Sequence, residues 1–397
     1  SKDEFDLGTC NFFEAKIKLK PDATPQYIPP IPIAYKHQDE MQKHLDGMER
    51  AGIIEEVDHN TSFWNSRVFL VAKPHQPGAF RFVADFRSLN SQTLPDTYQL
   101  PNIKHISDRI GGAKIFSVFD LSKSFFQVKY DQKSRPLTAF SVNGKKYIFQ
   151  RMVMGHCNSS AQFSRMVDHL MANIPLDQLC YFLDDLCVAS NDTASHMDRI
   201  DLVLGRLVSA NLKLLPKKCN FLKSSVSFCG ITLSENGQSI NADRIEAVKK
   251  LQPPRTSKEG MEVMGFLSYN RPFVPGFAAL AKPLYALIDM SNKKKKLNWT
   301  PVCQKNFEEI KRLVAEGVVL ASPRVDGGDD QYTVILDASK DGYGAELQQL
   351  QDGEHRTVVY FSKRVPKHVR MWSQSKLEFE GLVETLLHWA LYLKGVR

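Results

Sequence analysis

The segment Leu179–Ser190, with the sequence LCYFLDDLCVAS, places two adjacent aspartates between two apolar stretches. Each stretch has the composition of a buried β-strand. Adjacent carboxylates in an apolar setting are destabilising unless they are paired or bind a cation. The segment therefore predicts a β-hairpin with Asp184 and Asp185 at its turn, and this restricts how the surrounding chain can fold.

A third aspartate, Asp120, ends another apolar stretch, Ile115–Asp120 (IFSVFD), which predicts a strand. Carboxylates fixed on rigid strands can hold two Mg²⁺ ions, which prefer oxygen ligands. Two such ions promote the in-line attack of a hydroxyl group on a nucleoside triphosphate. From the spacing alone, a metal site and a plain set of turn carboxylates remain equally open.

The rest of the chain predicts a mixture of strands and helices. The proline-rich stretch PDATPQYIPPIPIAY predicts an extended segment, and Met41, Leu45 and Met48 then fall at helical spacing. The other predicted strands are Ser66–Ala72, Phe80–Ala84, Val226–Leu233, Tyr332–Leu336, Gly344–Leu347 and Thr357–Ser362. The other predicted helices lie within Met152–His169, His196–Asn211, 240–290 and Gln374–Lys394. Turn signals at 235–237 and 326–330 predict two domain boundaries.

Composition excludes several classes of protein. The 397 residues include 52 Lys+Arg and 44 Asp+Glu, and the formal net charge of +8 suits a polyanionic partner. None of the seven cysteines forms a CxxC pair, so we predict neither a disulfide framework nor a zinc module. There is no signal peptide or membrane-spanning run, so we expect an intracellular protein, in a cytoplasmic particle or the nucleus, without a membrane partner. Because the chain begins with Ser1, we expect it to be a piece of something longer.

Four ordered blocks carry a resemblance to a known family: FSVFDLSKSFFQVKY, MVMGHCNSSAQF, FLDDL and LKLLPKKCNFLKSSVSFCGITLSENG. Together they resemble the pol region of Gypsy-like LTR retrotransposons, and the similarity runs from about Ala51 to the end of the chain. The resemblance implies an α+β fold, a right-hand polymerase of fingers, palm and thumb followed by a truncated RNase H-like α/β domain. The implied domains are 1–235 (N-terminal segment, fingers and palm), 236–330 (thumb and connection) and 331–397 (partial RNase H).

The resemblance also implies roles for individual residues. Asp120, Asp184 and Asp185 would hold two Mg²⁺ ions, with Mn²⁺ as the alternative. The residues implied at the incoming nucleotide are Lys73, Arg81, Phe125 and Gly155, and Phe125 would be the aromatic gate that excludes a ribose 2′-hydroxyl. The residues implied at the primer and template are Phe182, Phe228 and Gly230, with Phe182 standing where the family usually has tyrosine. Either Lys217 or Lys218 is implied near the pyrophosphate.

Each of these roles has a plainer alternative. Phe125 could be core packing, Arg81 a surface arginine on a strand, and Gly155 an ordinary turn glycine. Asp85, Arg87 and Asn90 also match a family block, and we interpret them as structural polar contacts.

The C-terminal blocks LDASKDGYGAELQQ and YFSKRVPKHVRMWSQSKLEFEGLVETLLHWALYLKG resemble the start of a retroelement RNase H. Asp337 and Glu378 match two of its carboxylates, and Glu380 is the less favoured register for the second. The family's next aspartate lies beyond YLKG, so we expect an incomplete and inactive RNase H region. We also expect part of its last helix to lack cover, on the face formed by Leu382, Leu386, Leu387, Trp389 and Leu393.

The expected function is therefore that of an RNA-directed DNA polymerase. Its expected partners are an RNA or DNA template with a primer and deoxynucleoside triphosphates, and homodimerisation is left open. The alternative is a decayed or domesticated element that binds nucleic acid without catalysis, which the departures at Val153 and Phe182 leave open.

Overall fold

The computed structural model describes residues 6–73, 76, 78–324, 332–366, 368–369 and 371–394. The strands are β1 (Glu14–Ala15), β2 (Ile54–Val57), β3 (Arg67–Ala72), β4 (Phe80–Asp85), β5 (Ile115–Asp120), β6 (Lys129–Tyr130), β7 (Phe140–Val142), β8 (Lys145–Phe149), β9 (Leu179–Phe182), β10 (Asp185–Ser190), β11 (Asn220–Lys223), β12 (Ser225–Phe228), β13 (Ile231–Ser234), β14 (Gly237–Ile240), β15 (Tyr332–Ala338), β16 (Gly342–Gln351) and β17 (Glu354–Arg364). The helices are α1 (Tyr35–Arg50), α2 (Arg87–Gln92), α3 (Ile103–Ile110), α4 (Ser159–Leu170), α5 (Thr193–Ser209), α6 (Ala242–Lys249), α7 (Ser257–Ser268), α8 (Phe277–Leu287), α9 (Pro301–Ala315), α10 (Gln374–His388) and α11 (Ala390–Leu393).

The chain divides into two compact units. The first comprises the residues up to Ile103 together with Ser117–Val188 and Asp192–Leu222, and the second comprises Lys104–Phe116, Ala189–Asn191 and the residues from Lys223 onward. The dividing line passes through β5, β10 and β11. The three domains inferred from the sequence stay a prediction, and the boundary expected at 326–330 lies outside the described residues.

The first unit is organised by a four-stranded sheet in the order β11-β5-β10-β9. Strand β5 is almost wholly apolar because both of its faces are covered, and Phe119 is fully buried. Helices α4 and α5 contribute buried side chains such as Phe163 and Val203 to the same core. A polar pair lies within this sheet region, where Ser117 and His196 of α5 are joined by a hydrogen bond of 2.8 Å.

Smaller elements of the first unit surround this sheet. Strands β3 and β4 form the predicted hairpin, in which Val71 pairs with Arg81, and β2, β8 and β7 form a separate sheet. The predicted helix α1 buries Met41, Leu45 and Met48, as their spacing indicated. The proline-rich segment before α1 contains no helix, and its Tyr27 forms an isolated parallel bridge with Asn65, so its extended form stays a prediction.

The second unit contains the β12-β13-β14 meander, helices α6 to α9 and the sheet β15-β16-β17, in which β15 is an edge strand. The sequence predicted one strand at Val226–Leu233, and this is wrong: β12 ends at Phe228 and β13 starts at Ile231. The physical reason is a tight turn at Cys229 and Gly230, where both φ angles are positive.

The C-terminal helix also differs from its prediction. A single helix was expected over Gln374–Lys394, but α10 ends at His388 and α11 follows it. Trp389 lies at the break and is 1% exposed, with its ring 6.0 Å from that of Phe361, so its expected place on an uncovered face is wrong. Leu387, by contrast, is 70% exposed. No helix in the described part of the chain is both long and apolar enough to cross a membrane.

Candidate active site

The structure brings the three predicted aspartates together at one end of the central sheet. Asp120 ends β5, Asp185 begins β10, and these two strands are neighbours. Asp184 lies in the turn between β9 and β10, and its carbonyl oxygen accepts a hydrogen bond of 3.2 Å from the amide of Leu121. This bond ties the residue that follows Asp120 to the turn of the hairpin.

The hairpin turn has an unusual backbone. Phe182 pairs with Asp185, so that only Leu183 and Asp184 form the turn. Leu183 has a φ of +54°, in the left-handed region that a branched side chain seldom occupies. Such a conformation persists only where the surrounding structure holds it, and it is common at functional sites. The shape of the turn is thus fixed by the fold and not by a glycine.

The three aspartates affect one another electrostatically. Burial raises the pKa of Asp184, and the negative charge of Asp120 raises it further. Burial raises the pKa of Asp185 to about 6, and Asp184 and Asp120 add to that effect. The ammonium of Lys218 lies 3.1 Å from Oδ2 of Asp120 and only partly offsets this repulsion. Of Lys217 and Lys218, it is Lys218 that contacts Asp120, and which of the two lies near the pyrophosphate stays a prediction.

A divalent cation fits this set of groups. Carboxylate oxygens are its preferred ligands, and its charge would offset both the burial and the mutual repulsion that raise the two pKa values. The described residues do not, however, include a cluster of three or more His, Cys, Asp or Glu side chains already arranged as a metal site. The three carboxylates are near enough to interact electrostatically without converging on one point.

Gly155 lies in a loop that is held by hydrogen bonds to the side chain of Asn90 in α2. The amide nitrogen of the Asn90 side chain donates to the carbonyl oxygen of Gly155 at 2.9 Å, and its oxygen accepts from the amide of Cys157 at 2.9 Å. Gly155 has a φ of +89°, which is strained for any residue with a side chain. Asn90 is therefore the structural contact that the sequence indicated, and its partner is the Gly155 loop.

The other fingers residues lie on or next to the β3–β4 hairpin. Arg81 is exposed on β4, and Lys73 directly follows β3, where its amide bonds to the carbonyl oxygen of Ala79 at 2.9 Å. Asp85 and Arg87 form an ion pair at 2.6 Å, which agrees with a structural role. The roles of Lys73 and Arg81 at a triphosphate stay predictions.

Phe125 lies in a short 3-10 turn just after Asp120. Only 9% of the residue is exposed, and its ring lies 5.2 Å from that of Phe163 in the core of the first unit. The contact favours the alternative that Phe125 packs in the core. It does not test the role of Phe125 as the gate against a ribose 2′-hydroxyl. Phe182 is half-buried in the position that pairs with Asp185.

The sequence missed a polar network behind the aspartate hairpin. Asp168 of α4 accepts a hydrogen bond from the hydroxyl of Tyr98, and it also bonds to Tyr181, whose pKa is raised by burial and by that contact. Tyr181 precedes Phe182 in β9, so Asp168 supports the strand that leads to the turn of Leu183 and Asp184. The available signal was the position of Tyr181 next to the FLDD block, but nothing in the sequence pointed to Asp168.

The remaining predicted site residues belong to the second unit. Phe228 is buried and Gly230 lies in the β12–β13 turn. Asp337 of β15 and Glu378 of α10 are both exposed. The amide of the Gln374 side chain donates to the carbonyl oxygen of Ala338 at 2.8 Å and to the Glu378 carboxylate at 3.0 Å, which links Glu378 to the end of β15.

Comparison with known families defines the class of domain. Residues 71–233 match the family described as reverse transcriptase (RNA-dependent DNA polymerase). Residues 299–397 match the family described as the RNase H-like domain found in reverse transcriptase. The aspartates and the Gly155 loop all fall within the first match. The chain therefore contains a reverse transcriptase domain, which is an RNA-directed DNA polymerase domain, followed by an RNase H-like domain.

The relatives of the chain are Pol polyproteins of LTR retrotransposons. The retrovirus-related Pol polyprotein from transposon opus of Drosophila melanogaster is 30% identical over 94% of this chain and 38% of its own length. The polyprotein from transposon gypsy of the same species is 29% identical over 95% of this chain and 37% of its own length. The chain thus belongs with the reverse transcriptase and RNase H regions of Gypsy-type retrotransposon Pol polyproteins, and it spans less than two fifths of these relatives.

Solved structures support the right-hand polymerase fold. The foamy viral protease-reverse transcriptase dRH in complex with double-stranded DNA has a TM-score of 0.86 at 23% identity, over 99% of this chain and 67% of that one. The foamy viral protease-reverse transcriptase in complex with an RNA/DNA hybrid has a TM-score of 0.85 at 23% identity, over 99% of this chain and 52% of that one. At this identity the likeness shows the fold.

Proposed function

We propose that this chain is an RNA-directed DNA polymerase that copies a retroelement template by two-metal nucleotidyl transfer. The observation that carries the proposal is the set of three aspartates at one end of neighbouring strands, which raise one another's pKa, with Lys218 beside Asp120. Asp120, Asp184 and Asp185 would hold two Mg²⁺ ions, with Mn²⁺ as the alternative. When bound, these ions would activate the primer hydroxyl and neutralise the leaving pyrophosphate.

The side chains around the carboxylates have complementary proposed roles. Arg81 and Lys73 bind the triphosphate from the β3–β4 hairpin, and the Gly155 loop offers its backbone to the nucleotide. Lys218 is positioned by its contact with Asp120 to balance negative charge near the reacting phosphates. Phe125 is proposed to limit the space at the sugar, in spite of its contact with Phe163.

The proposed partners are an RNA or DNA template with its primer, and deoxynucleoside triphosphates. The formal charge of +8 supports a polyanionic partner. The foamy viral enzymes of the same fold bind double-stranded DNA and an RNA/DNA hybrid in their solved complexes. Both observations favour nucleic acid as the ligand of this chain.

Primer extension on an RNA template tests the proposal. Asp184→Asn keeps the size of the side chain and removes a metal-binding charge, so extension should fall by about a thousandfold or more while template-primer binding is retained. The matched control is Asp177→Asn, which alters an exposed aspartate just before β9 and should extend normally. Binding without any extension by the wild-type chain would instead support the non-catalytic alternative.

We further propose that this chain does not cleave the RNA strand of a hybrid. RNase H chemistry needs several carboxylates around paired ions, whereas the two candidates in this domain, Asp337 of β15 and Glu378 of α10, are both exposed. Magnesium-dependent cleavage of a hybrid by the wild-type chain should not exceed that by Asp337→Asn. Cleavage well above that of the variant would refute this second proposal.

A further inference from the structure

The hairpin formed by β12 and β13 has a tip whose shape its own sequence supports poorly. Phe228 pairs with Ile231, which leaves Cys229 and Gly230 as a two-residue turn. Their φ angles are +49° and +77°, the pattern of a type I′ turn. Such turns favour Asn-Gly, because a residue like cysteine is unfavourable in the left-handed region at the first position. Contacts outside the hairpin must therefore contribute to its shape.

Tyr269 supplies the first of these contacts. It directly follows helix α7, and its hydroxyl donates a hydrogen bond to the carbonyl oxygen of Cys229. The tip also lies against this side chain, since a Cβ on Gly230 would lie 3.5 Å from the Tyr269 hydroxyl. Tyr269 thus binds the turn at the residue with the least favourable backbone conformation.

Arg244 of α6 holds Tyr269 in place. Its guanidinium lies 3.8 Å from the centre of the Tyr269 ring and 4.7 Å from that of Phe266. Nε donates to Oδ1 of Asn270 at 3.0 Å, which fixes the plane of the guanidinium. A planar cation stacked on a ring cannot be replaced by the flexible ammonium of lysine without loss of contact. The tip is therefore secured by helices α6 and α7 together.

We infer that Tyr269 and Arg244 are positioning residues that hold the tip of the β12–β13 hairpin, and through it the 3′ end of the primer. The inference rests on the proposed polymerase function, in which Phe228 and Gly230 belong to the primer site. Neither Tyr269 nor Arg244 is assigned a contact with the substrate. Both fix the backbone that meets the primer, and small displacements of a reacting group slow chemistry more than they weaken binding.

The test compares two tyrosine variants in primer extension. Tyr269→Phe removes the hydrogen bond to Cys229 and keeps the ring under Arg244. Its matched control is Tyr285→Phe. Tyr285 lies on the neighbouring helix α8, and its hydroxyl is hydrogen-bonded to the side chain of Ser268 at 2.7 Å. Tyr269→Phe should lower the single-turnover rate of the first nucleotide addition about three- to tenfold, the loss expected for one hydrogen bond. The Kd for template-primer should stay within about twofold of wild type, and Tyr285→Phe should match the wild type in both measurements.

A rescue experiment separates positioning from general stability. Cys229→Asn introduces the residue that a type I′ turn prefers, so it should hold the tip with less help from Tyr269. In the Cys229→Asn background, Tyr269→Phe should therefore slow addition by less than about twofold. Arg244→Lys keeps the charge and loses the stacking, and it should show the same rate defect as Tyr269→Phe.

The outcomes are distinguishable. If the wild-type chain does not extend a primer, the proposed function fails. If the wild type extends but Tyr269→Phe has the rate of Tyr285→Phe, the positioning inference is overturned and the polymerase stands. An equal loss of rate in Tyr269→Phe with and without Cys229→Asn would likewise overturn it, because the defect would then not arise at the turn.

Discussion

The Asn90 side chain is the point at which one substitution should most clearly affect nucleotide binding. Asn90→Ala removes both hydrogen bonds to the Gly155 loop, each 2.9 Å long. A neutral hydrogen bond contributes about 0.5–1.5 kcal/mol, so the pair amounts to about 1–3 kcal/mol. Because Asn90 is only half-buried, water can replace part of the lost hydrogen bonding. The expected free-energy loss is therefore in the lower half of that range.

This loss should appear as a change in KM. If the loop is ordered for only a fraction of the time, the apparent affinity for a nucleotide falls by that fraction. About 1–2 kcal/mol corresponds to a rise of roughly 5- to 30-fold in KM for the deoxynucleoside triphosphate, with a smaller change in kcat. Steady-state extension with a varied nucleotide concentration measures both constants.

The control for Asn90 comes from the same helix. Ser91 is exposed, and its hydroxyl bonds only locally, to the carbonyl oxygen of Ser88 at 2.7 Å. Ser91→Ala should leave KM for the nucleotide unchanged. The reasoning is refuted if Asn90→Ala lowers the melting temperature but has the same nucleotide KM as Ser91→Ala, because the Gly155 loop would then be structural only.

Two further predictions concern the aspartates and the proposed gate. Phe125→Val should raise ribonucleotide use relative to deoxynucleotide use, and an unchanged ratio in parallel extension assays would show that Phe125 serves only to pack against Phe163. For Asp185, burial and the neighbouring carboxylates raise the folded pKa to about 6 from its ordinary value of 3.8, so ionisation destabilises the metal-free fold. The stability of the metal-free chain should therefore fall as the pH rises from about 4 to 6, and Asp185→Asn should raise the melting temperature at pH 7 and flatten this dependence. No difference between Asp185→Asn and wild type in thermal melts across this range would contradict the burial of that charge.

The sequence predicted the aspartate hairpin from local pattern alone. Apolar residues on both sides of Asp184 and Asp185 required two buried strands with a polar turn, and β9 and β10 confirm this. That Asp120 lies beside this hairpin was implied only by the family resemblance. The residue pattern of one strand does not predict which strand lies next to it in a sheet. The sequence also could not tell which of Lys217 and Lys218 contacts Asp120, because that depends on the path of the chain around both residues; the contact is made by Lys218.

The sequence did not predict the contacts that hold the Gly155 loop and the β12–β13 turn. Asn90 and Gly155 are separated by 65 positions along the chain, and no local rule pairs an asparagine with a distant carbonyl group. The β12–β13 turn did have one signal, because an isolated glycine within a predicted strand indicates a bulge or a close approach. Gly230 gave that signal, but cysteine at position 229 did not suggest a left-handed residue.

The distribution of left-handed residues connects local strain with the candidate function. In the described part of the chain, Asn143, Asn173, Asn211 and Asp352 have positive φ, and these residue types tolerate it. The other non-glycine residues with positive φ are Lys123, Leu183, Leu222 and Cys229. All four lie within the sequence blocks that carry the resemblance to retrotransposon polymerases.

Each of these four conformations is unfavourable by about 1–2 kcal/mol relative to an ordinary backbone. A glycine at any of these four positions would relieve the strain, but it would also make the local backbone more flexible. Leu183 illustrates this compromise between strain and rigidity. Its turn holds the carboxylates of Asp184 and Asp185, which repel each other, at the same edge of the sheet. A side chain that packs at this position restricts the turn to one shape, and a single shape is what closely placed metal ligands require. At Leu183, the strain is therefore retained in the turn that carries the proposed metal ligands Asp184 and Asp185.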